Sequence, residues 1–185
     1  MNKTLQLVRL AKEIELCAIC KNEKIGIAVP GEGNPDADII FVGEAPGKKE
    51  AVEGRPFIGR SGLLLRSLIR SIGLTEEEVF ITSPVKYLPK RGTPTSSDIA
   101  HGRIHLMKQL AVIQPKVVML LGRVAAEGVL EKKVAVVTEH GSIIAEKEGI
   151  KYFLTVHPAA ALRFSKKYKP LLEEDFQKLK QLLAH

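Results

Sequence analysis

Lys116-Val-Val-Met-Leu-Leu-Gly122 decides the fold. Five apolar residues follow a Pro-Lys pair and stop at a glycine. The run is too short for a buried helix and apolar on both faces, so it reads as a strand covered on both sides, as parallel sheets require. Three similar runs flank it: Asp38-Ile-Ile-Phe-Val-Gly43, Val79 to Ser83, and Lys151 to Val156. Between them lie helical patterns. Leu63 to Ile72 ends at Gly73, a favourable residue just past a helix. Ile99, Leu106, Met107, Leu110 and Ile113 share one helical face, opened by a Thr95/Asp98 capping box and stopped before Pro115. Val124 to Leu130 reads as a short helix and Leu171 to Leu183 as a final amphipathic one. Leu5 to Leu16 forms a first helix, with Leu7, Leu10, Ala11 and Ile14 on one face. The stretch from Lys21 to Ala37 reads as loop or short strand, and that from Gly43 to Gly62 as a long loop. From Asp38 onward, strand and helix alternate four times. That order predicts an α/β protein with a mainly parallel four-stranded sheet flanked by helices.

The chain has 185 residues, 45% hydrophobic and 26% charged, which suits one domain over 1–185 with a real core. No apolar run is long enough to span a bilayer, and Met1 to Leu10 lacks signal-peptide organisation, so a cytoplasmic protein with no membrane partner is expected. The net charge of +7 favours an anionic partner such as nucleic acid, although lysines such as Lys166, Lys167 and Lys169 also suit a solvated surface. Trp is absent and amide residues are few while Lys and Glu are common, a composition that leans toward thermophiles. Cys17 and Cys20 form a C-x-x-C pair, which in a cytosolic chain points to metal or redox work before a disulfide.

The polar residues gather just past the strands. Gly43-Glu44-Ala45-Pro46-Gly47 follows the first, Thr82-Ser83-Pro84 the second, Gly122-Arg123 the third and His157-Pro158 the fourth. Ligands of open α/β sheets bind outside the carboxyl ends of the strands, so Glu44, Ser83, Arg123 and His157 should converge on one edge. Taken singly, each has a plainer reading: a tight turn at Gly43–Gly47, a hydrogen-bonded loop histidine, a surface arginine. No P-loop, dinucleotide fingerprint or nucleophile elbow is present, which counts against nucleotide hydrolysis, dinucleotide redox chemistry and Ser-His-Asp hydrolysis.

The stretch Gly43-Glu-Ala-Pro-Gly-Lys-Lys-Glu-Ala-Val-Glu-Gly-Arg-Pro-Phe-Ile-Gly-Arg-Ser-Gly-Leu-Leu resembles the first motif of family 4 of the uracil-DNA glycosylase superfamily. Gly31-Glu-Gly-Asn-Pro-Asp36, the Leu121-Gly122 turn and His157-Pro-Ala-Ala-Ala-Leu-Arg163 resemble further family features in the same order, so the likeness runs from about Cys17 to Arg163. The resemblance implies a three-layer α/β/α sandwich. It also implies a monofunctional glycosylase that flips uracil out of DNA and cuts its bond to deoxyribose, the first step of base excision repair, in the nucleoid. It places Glu44, with Glu50, near the sugar and the attacking water, and Phe57 on the flipped base beside Gly43 and Ala45. His157 becomes the donor to the uracil oxygen. Arg60, Ser61, Gly122, Arg123, Leu162 and Arg163 fall among the DNA contacts. An extruded base needs an apolar stacking face, and a fixed donor aimed at a developing oxyanion is a large catalytic term.

Three positions depart from the family pattern. The 4Fe–4S cluster it implies needs four Cys, and only Cys17 and Cys20 are present; Tyr87 and Gly102 stand near the other two. No cluster is therefore expected. His101 and His105 could complete a zinc site with the pair, or the pair packs as a remnant in a core. Ser83 replaces the Asn that reads uracil, and a lone hydroxyl reads a base less fully, which leaves the preferred deaminated base open. Ala51 replaces an acidic residue after Glu50. A weak or inactive DNA-binding, lesion-sensing relative is the alternative reading, and an unrelated enzyme of phosphorylated small molecules a third. Neither terminus carries a clear docking motif for a sliding clamp, a partner the sequence leaves open.

Overall fold

The computed structural model describes residues 2–184; Met1 and His185, the ends of the expected domain, lie outside the described residues. In chain order the elements are α1 (Lys3–Leu16), α2 (Ala18–Lys21), β1 (Lys24–Ile25), β2 (Glu32–Gly33), β3 (Ile39–Val42), α3 (Lys48–Glu53), α4 (Arg60–Ser71) and β4 (Val79–Thr82). There follow β5 (Leu88–Pro89), α5 (Ser96–Ile113), β6 (Val117–Leu121), α6 (Arg123–Leu130), α7 (Val136–Glu139), β7 (Ser142–Lys147), β8 (Ile150–Thr155), α8 (Pro158–Arg163) and α9 (Ser165–Leu183). The main sheet runs β2-β4-β3-β6-β8-β7, and β1 pairs with β5 in a separate ribbon.

The four expected strands are β3, β4, β6 and β8, all parallel to their neighbours in this set. The sheet has six strands rather than four, because β2 and β7 add antiparallel edges. β2 is two residues long, and β7 is a half-exposed edge, so neither carries the continuous apolar signal of a central strand.

Alternation along each strand sorts the side chains into two layers. Ile39, Phe41, Val79, Ile81, Val117, Met119 and Phe153 meet Leu65 and Ile69 of α4 and Leu172, Phe176 and Leu179 of α9. The Phe41 and Phe176 rings stack with centroids 5.9 Å apart. Ile40, Val42, Phe80, Val118, Leu120 and Leu154 meet Leu106, Leu110 and Ile113 of α5 and Ala125, Ala126 and Val129 of α6. Each fully buried Leu, Ile or Phe contributes about 1.5–3 kcal/mol, and together they fix the three-layer sandwich. α1 lies on the outside of α5, with Leu10 and Ile14 turned inward.

The Thr95/Asp98 capping box forms as expected and opens α5. α3 and α8 occupy segments without helical periodicity, each only six residues long. α9 starts six residues before the expected Leu171, with Pro170 accommodated in its second turn. No helix among the described residues is long and apolar enough to cross a membrane.

Candidate active site

The connections from β3 and β6 leave in opposite directions, since β4 lies on one side of β3 and β6 and β8 on the other. Such a reversal opens a crevice at the carboxyl ends of the strands. An open cleft of about 820 Å³ lies there. It gathers Glu44, Ala45, Glu50, Phe57, Arg60, Ser61, Ser83, His157, Leu162 and Arg163 from segments more than a hundred residues apart in sequence. Gly43, Gly122 and Arg123, expected at the site, are not part of this lining. Gly122 backs His157, since a Cβ on it would lie 3.1 Å from the His157 Cβ. Arg123 turns along its own helix to Glu127 at 2.8 Å.

Phe57 has φ +52°, a left-handed backbone that a bulky residue adopts only when its surroundings impose it. Two glycines leave the room. A Cβ on Gly43 would meet the Phe57 ring at 2.4 Å, and one on Gly62 would meet the Phe57 carbonyl oxygen at 1.9 Å. Arg66, only 7% exposed, holds the same turn from below. Its Nε donates to the Phe57 carbonyl at 3.0 Å and its Nη2 to the Pro56 carbonyl at 2.9 Å. The guanidinium also pairs with Glu32 at 2.7 Å and with Glu76. Glu50, buried on α3, accepts the Ile58 and Gly59 N–H groups at 2.9 and 2.8 Å through one oxygen. That engagement makes Glu50 a brace for the loop. Arg66, Glu32 and the bracing role of Glu50 escaped the sequence reading, because an Arg within an amphipathic helix looks like surface.

His157 caps α8. Its Nδ1 accepts the Ala159 N–H at 3.0 Å, so the proton of the neutral ring resides on Nε2. Nε2 has no partner among the described residues and borders the cleft. The ring centroid lies 6.1 Å from that of Phe57. Burial pushes the His157 pKa down to about 4, so the ring is neutral at physiological pH.

Glu44 is held above the usual carboxylate range by burial, against the pull of Arg123. Ser83 is 4% exposed, and its hydroxyl donates to the Val85 carbonyl at 2.8 Å. Its oxygen keeps lone pairs to accept with, but the hydroxyl hydrogen is committed. Beneath this turn the Lys86 ammonium donates to Pro30 O at 3.1 Å, Thr82 Oγ1 at 2.7 Å and Gln109 Oε1 at 2.8 Å. Burial pushes its pKa down to about 7, while three acceptors favour the charged form.

The residues present do not fit a 4Fe–4S cluster. The Tyr87 ring is buried against Ile14 and Cys20, where the third thiolate would be needed. Position 102 has no room for a thiolate, since a Cβ there would lie 2.0 Å from the Pro84 carbonyl oxygen.

The cleft, its neutral histidine and the phenylalanine beside it define a class. The model of the uracil DNA glycosylase superfamily matches residues 30–183. The chain belongs to this superfamily and is an enzyme of the DNA glycosylase class. Its curated relatives include the type-4 uracil-DNA glycosylase of Sulfurisphaera tokodaii, 38% identical over 95% of this chain and 84% of that protein. That of Saccharolobus solfataricus is 38% identical over 95% of this chain and 85% of that protein. That of Thermotoga maritima is 39% identical over 84% of this chain and 82% of that protein. The thermophile-like composition fits these relatives.

Proposed function

We propose that the chain, acting as one domain over 1–185, removes uracil or a related deaminated base from DNA by base flipping and hydrolysis of the N-glycosidic bond. The observation that carries this reading is the His157 tautomer: its backbone contact leaves an Nε2–H donor free at the cleft, beside Phe57. A base inside a duplex is out of reach, so it must enter the cleft and stack, and Phe57 offers the ring. As the bond from the sugar carbon to the base nitrogen breaks, its electron pair moves onto the base. Nε2–H then stabilises the oxygen that gains charge. The sugar becomes cationic and takes a water oxygen on its anomeric carbon. The Glu44 carboxylate faces that charge and orients the water. The water's proton leaves to Glu44 or to solvent.

The rim suits DNA. Lys48, Lys49, Arg60 and Arg163 border the cleft, and α4 opens at Gly59 with no side-chain cap on its first N–H groups. Phosphates bind such groups. Leu162 is 39% exposed at the rim, and we assign it to the gap left by a flipped nucleotide.

The test uses labelled single- and double-stranded oligonucleotides carrying one uracil, hypoxanthine or xanthine, followed by alkali. Breaks at the modified base support the reading. Bound DNA with no breaks at any base would overturn it in favour of a lesion-sensing relative. Ser83 makes a sharper prediction. With its hydrogen held by Val85, it offers the base an acceptor and no donor. Ser83→Asn is expected to raise the preference for uracil over cytosine by about 10-fold or more, read as the ratio of kcat/KM values. An unchanged ratio would place base readout elsewhere in the cleft.

A further inference from the structure

We propose that Cys17, Cys20, His101 and His105 form a closed, tetrahedral zinc site that replaces the iron–sulfur cluster of the family. Their ligand atoms all lie within 4.8 Å of one another. Cys17 caps α2, and its sulfur accepts the Cys20 N–H at 3.5 Å, which turns both thiols to the same side. On α5, His101 and His105 stand one turn apart and face them. The His101 Nε2 lies 3.1 Å from the Cys17 sulfur. Zinc bonds of about 2.3 Å to sulfur and 2.0–2.1 Å to nitrogen, at tetrahedral angles, put neighbouring ligand atoms roughly 3.3–3.8 Å apart. The four donors therefore need only small side-chain shifts to close on one ion.

His105 supplies an independent sign of a missing partner. It is 4% exposed, and neither ring nitrogen makes a hydrogen bond. Its Nδ1 lies 3.3 Å from a Glu13 carboxylate oxygen, close but outside hydrogen-bonding geometry. A buried imidazole left in this state is unfavourable. An ion on Nε2, with Nδ1–H turned to Glu13, satisfies both nitrogens in the carboxylate–histidine–metal arrangement common to zinc proteins. Glu13 is itself tethered by Lys108 at 2.5 Å. Charge agrees as well: two thiolates and two neutral imidazoles cancel a divalent cation, so the buried centre is neutral.

All four coordination positions come from the protein, which marks a structural site rather than a catalytic one. It ties the α1–α2 turn to α5. The same helix packs at Gly102 against Pro84, next to Ser83 at the cleft. The metal thus braces one wall of the cleft from behind.

The test is metal analysis of the full chain purified without added metal. One zinc per chain and no acid-labile sulfide are expected. After chelation, Co²⁺ titration should give the visible spectrum of tetrahedral cobalt with thiolate charge transfer, saturating at one equivalent. His105→Ala should abolish that spectrum. Glu13→Gln should keep it while weakening zinc affinity about 10- to 100-fold in a chelator competition, which separates a fold defect from a lost ligand. Stoichiometric iron with sulfide would overturn the proposal. So would a wild-type chain that is free of zinc and gives no tetrahedral cobalt spectrum.

Discussion

His157→Ala is expected to slow base release by about 10²–10³-fold while leaving DNA affinity within a few-fold, measured by single-turnover cleavage and by equilibrium binding. The magnitude follows from what the ring does. Its Nδ1 is fixed by the Ala159 N–H, so Nε2–H needs no reorganisation when charge develops on the base. His157→Asn would retain a donor and recover part of the rate. The pH profile carries the same signature. A histidine near its ordinary value would put a step in kcat/KM at about pH 6.5. With the His157 pKa pushed down to about 4, that step is absent. The acid limb is expected instead from Glu44, the carboxylate we propose orients the water. Its active form is the carboxylate and burial raises its pKa, so activity falls at a higher pH than an ordinary glutamate would give. A rate unchanged in His157→Ala would remove the ring from the chemistry.

Arg66→Ala is expected to cost about 3 kcal/mol of stability, because it strips the Pro56 and Phe57 carbonyls of their donor and takes the buried one of two arginines from Glu32, which keeps Arg55. In a chain of this size that lowers Tm by roughly 6–12 °C in a thermal melt. Activity should fall beyond what unfolding explains, since the Phe57 turn loses its clamp. Arg66→Lys should rescue little, because an ammonium cannot span both carbonyls and a carboxylate as the planar fork does. A loss below about 1 kcal/mol would show that the loop is held by packing alone.

The four central strands were legible because parallel sheets bury both faces, and Val117–Leu121 has no polar residue to confuse the pattern. Of the four residues expected at the strand ends, Glu44, Ser83 and His157 line the cleft, whereas Arg123 turns along α6 to Glu127. The edges were not legible. Glu32–Gly33 joins the sheet through backbone hydrogen bonds to β4, which leave no mark on side-chain periodicity. Arg66 was hidden for a related reason. A buried arginine and a surface arginine share the same place in a helical pattern, and only its tertiary partners, Glu32 and the Pro56 and Phe57 carbonyls among them, tell them apart. The fate of Glu50 likewise depends on two backbone N–H groups eight and nine residues on.

Helix α8 joins two parts of the cleft. His157, the donor we propose for the leaving base, is also the cap of this helix, and Leu162 stands near the other end. Six residues at 1.5 Å each make a rod of roughly 9 Å. In the proposed reaction, hydrogen donor and apolar wedge would thus be the two ends of one lever, and a shift of the tip against the DNA stack would reach the imidazole through a single turn and a half.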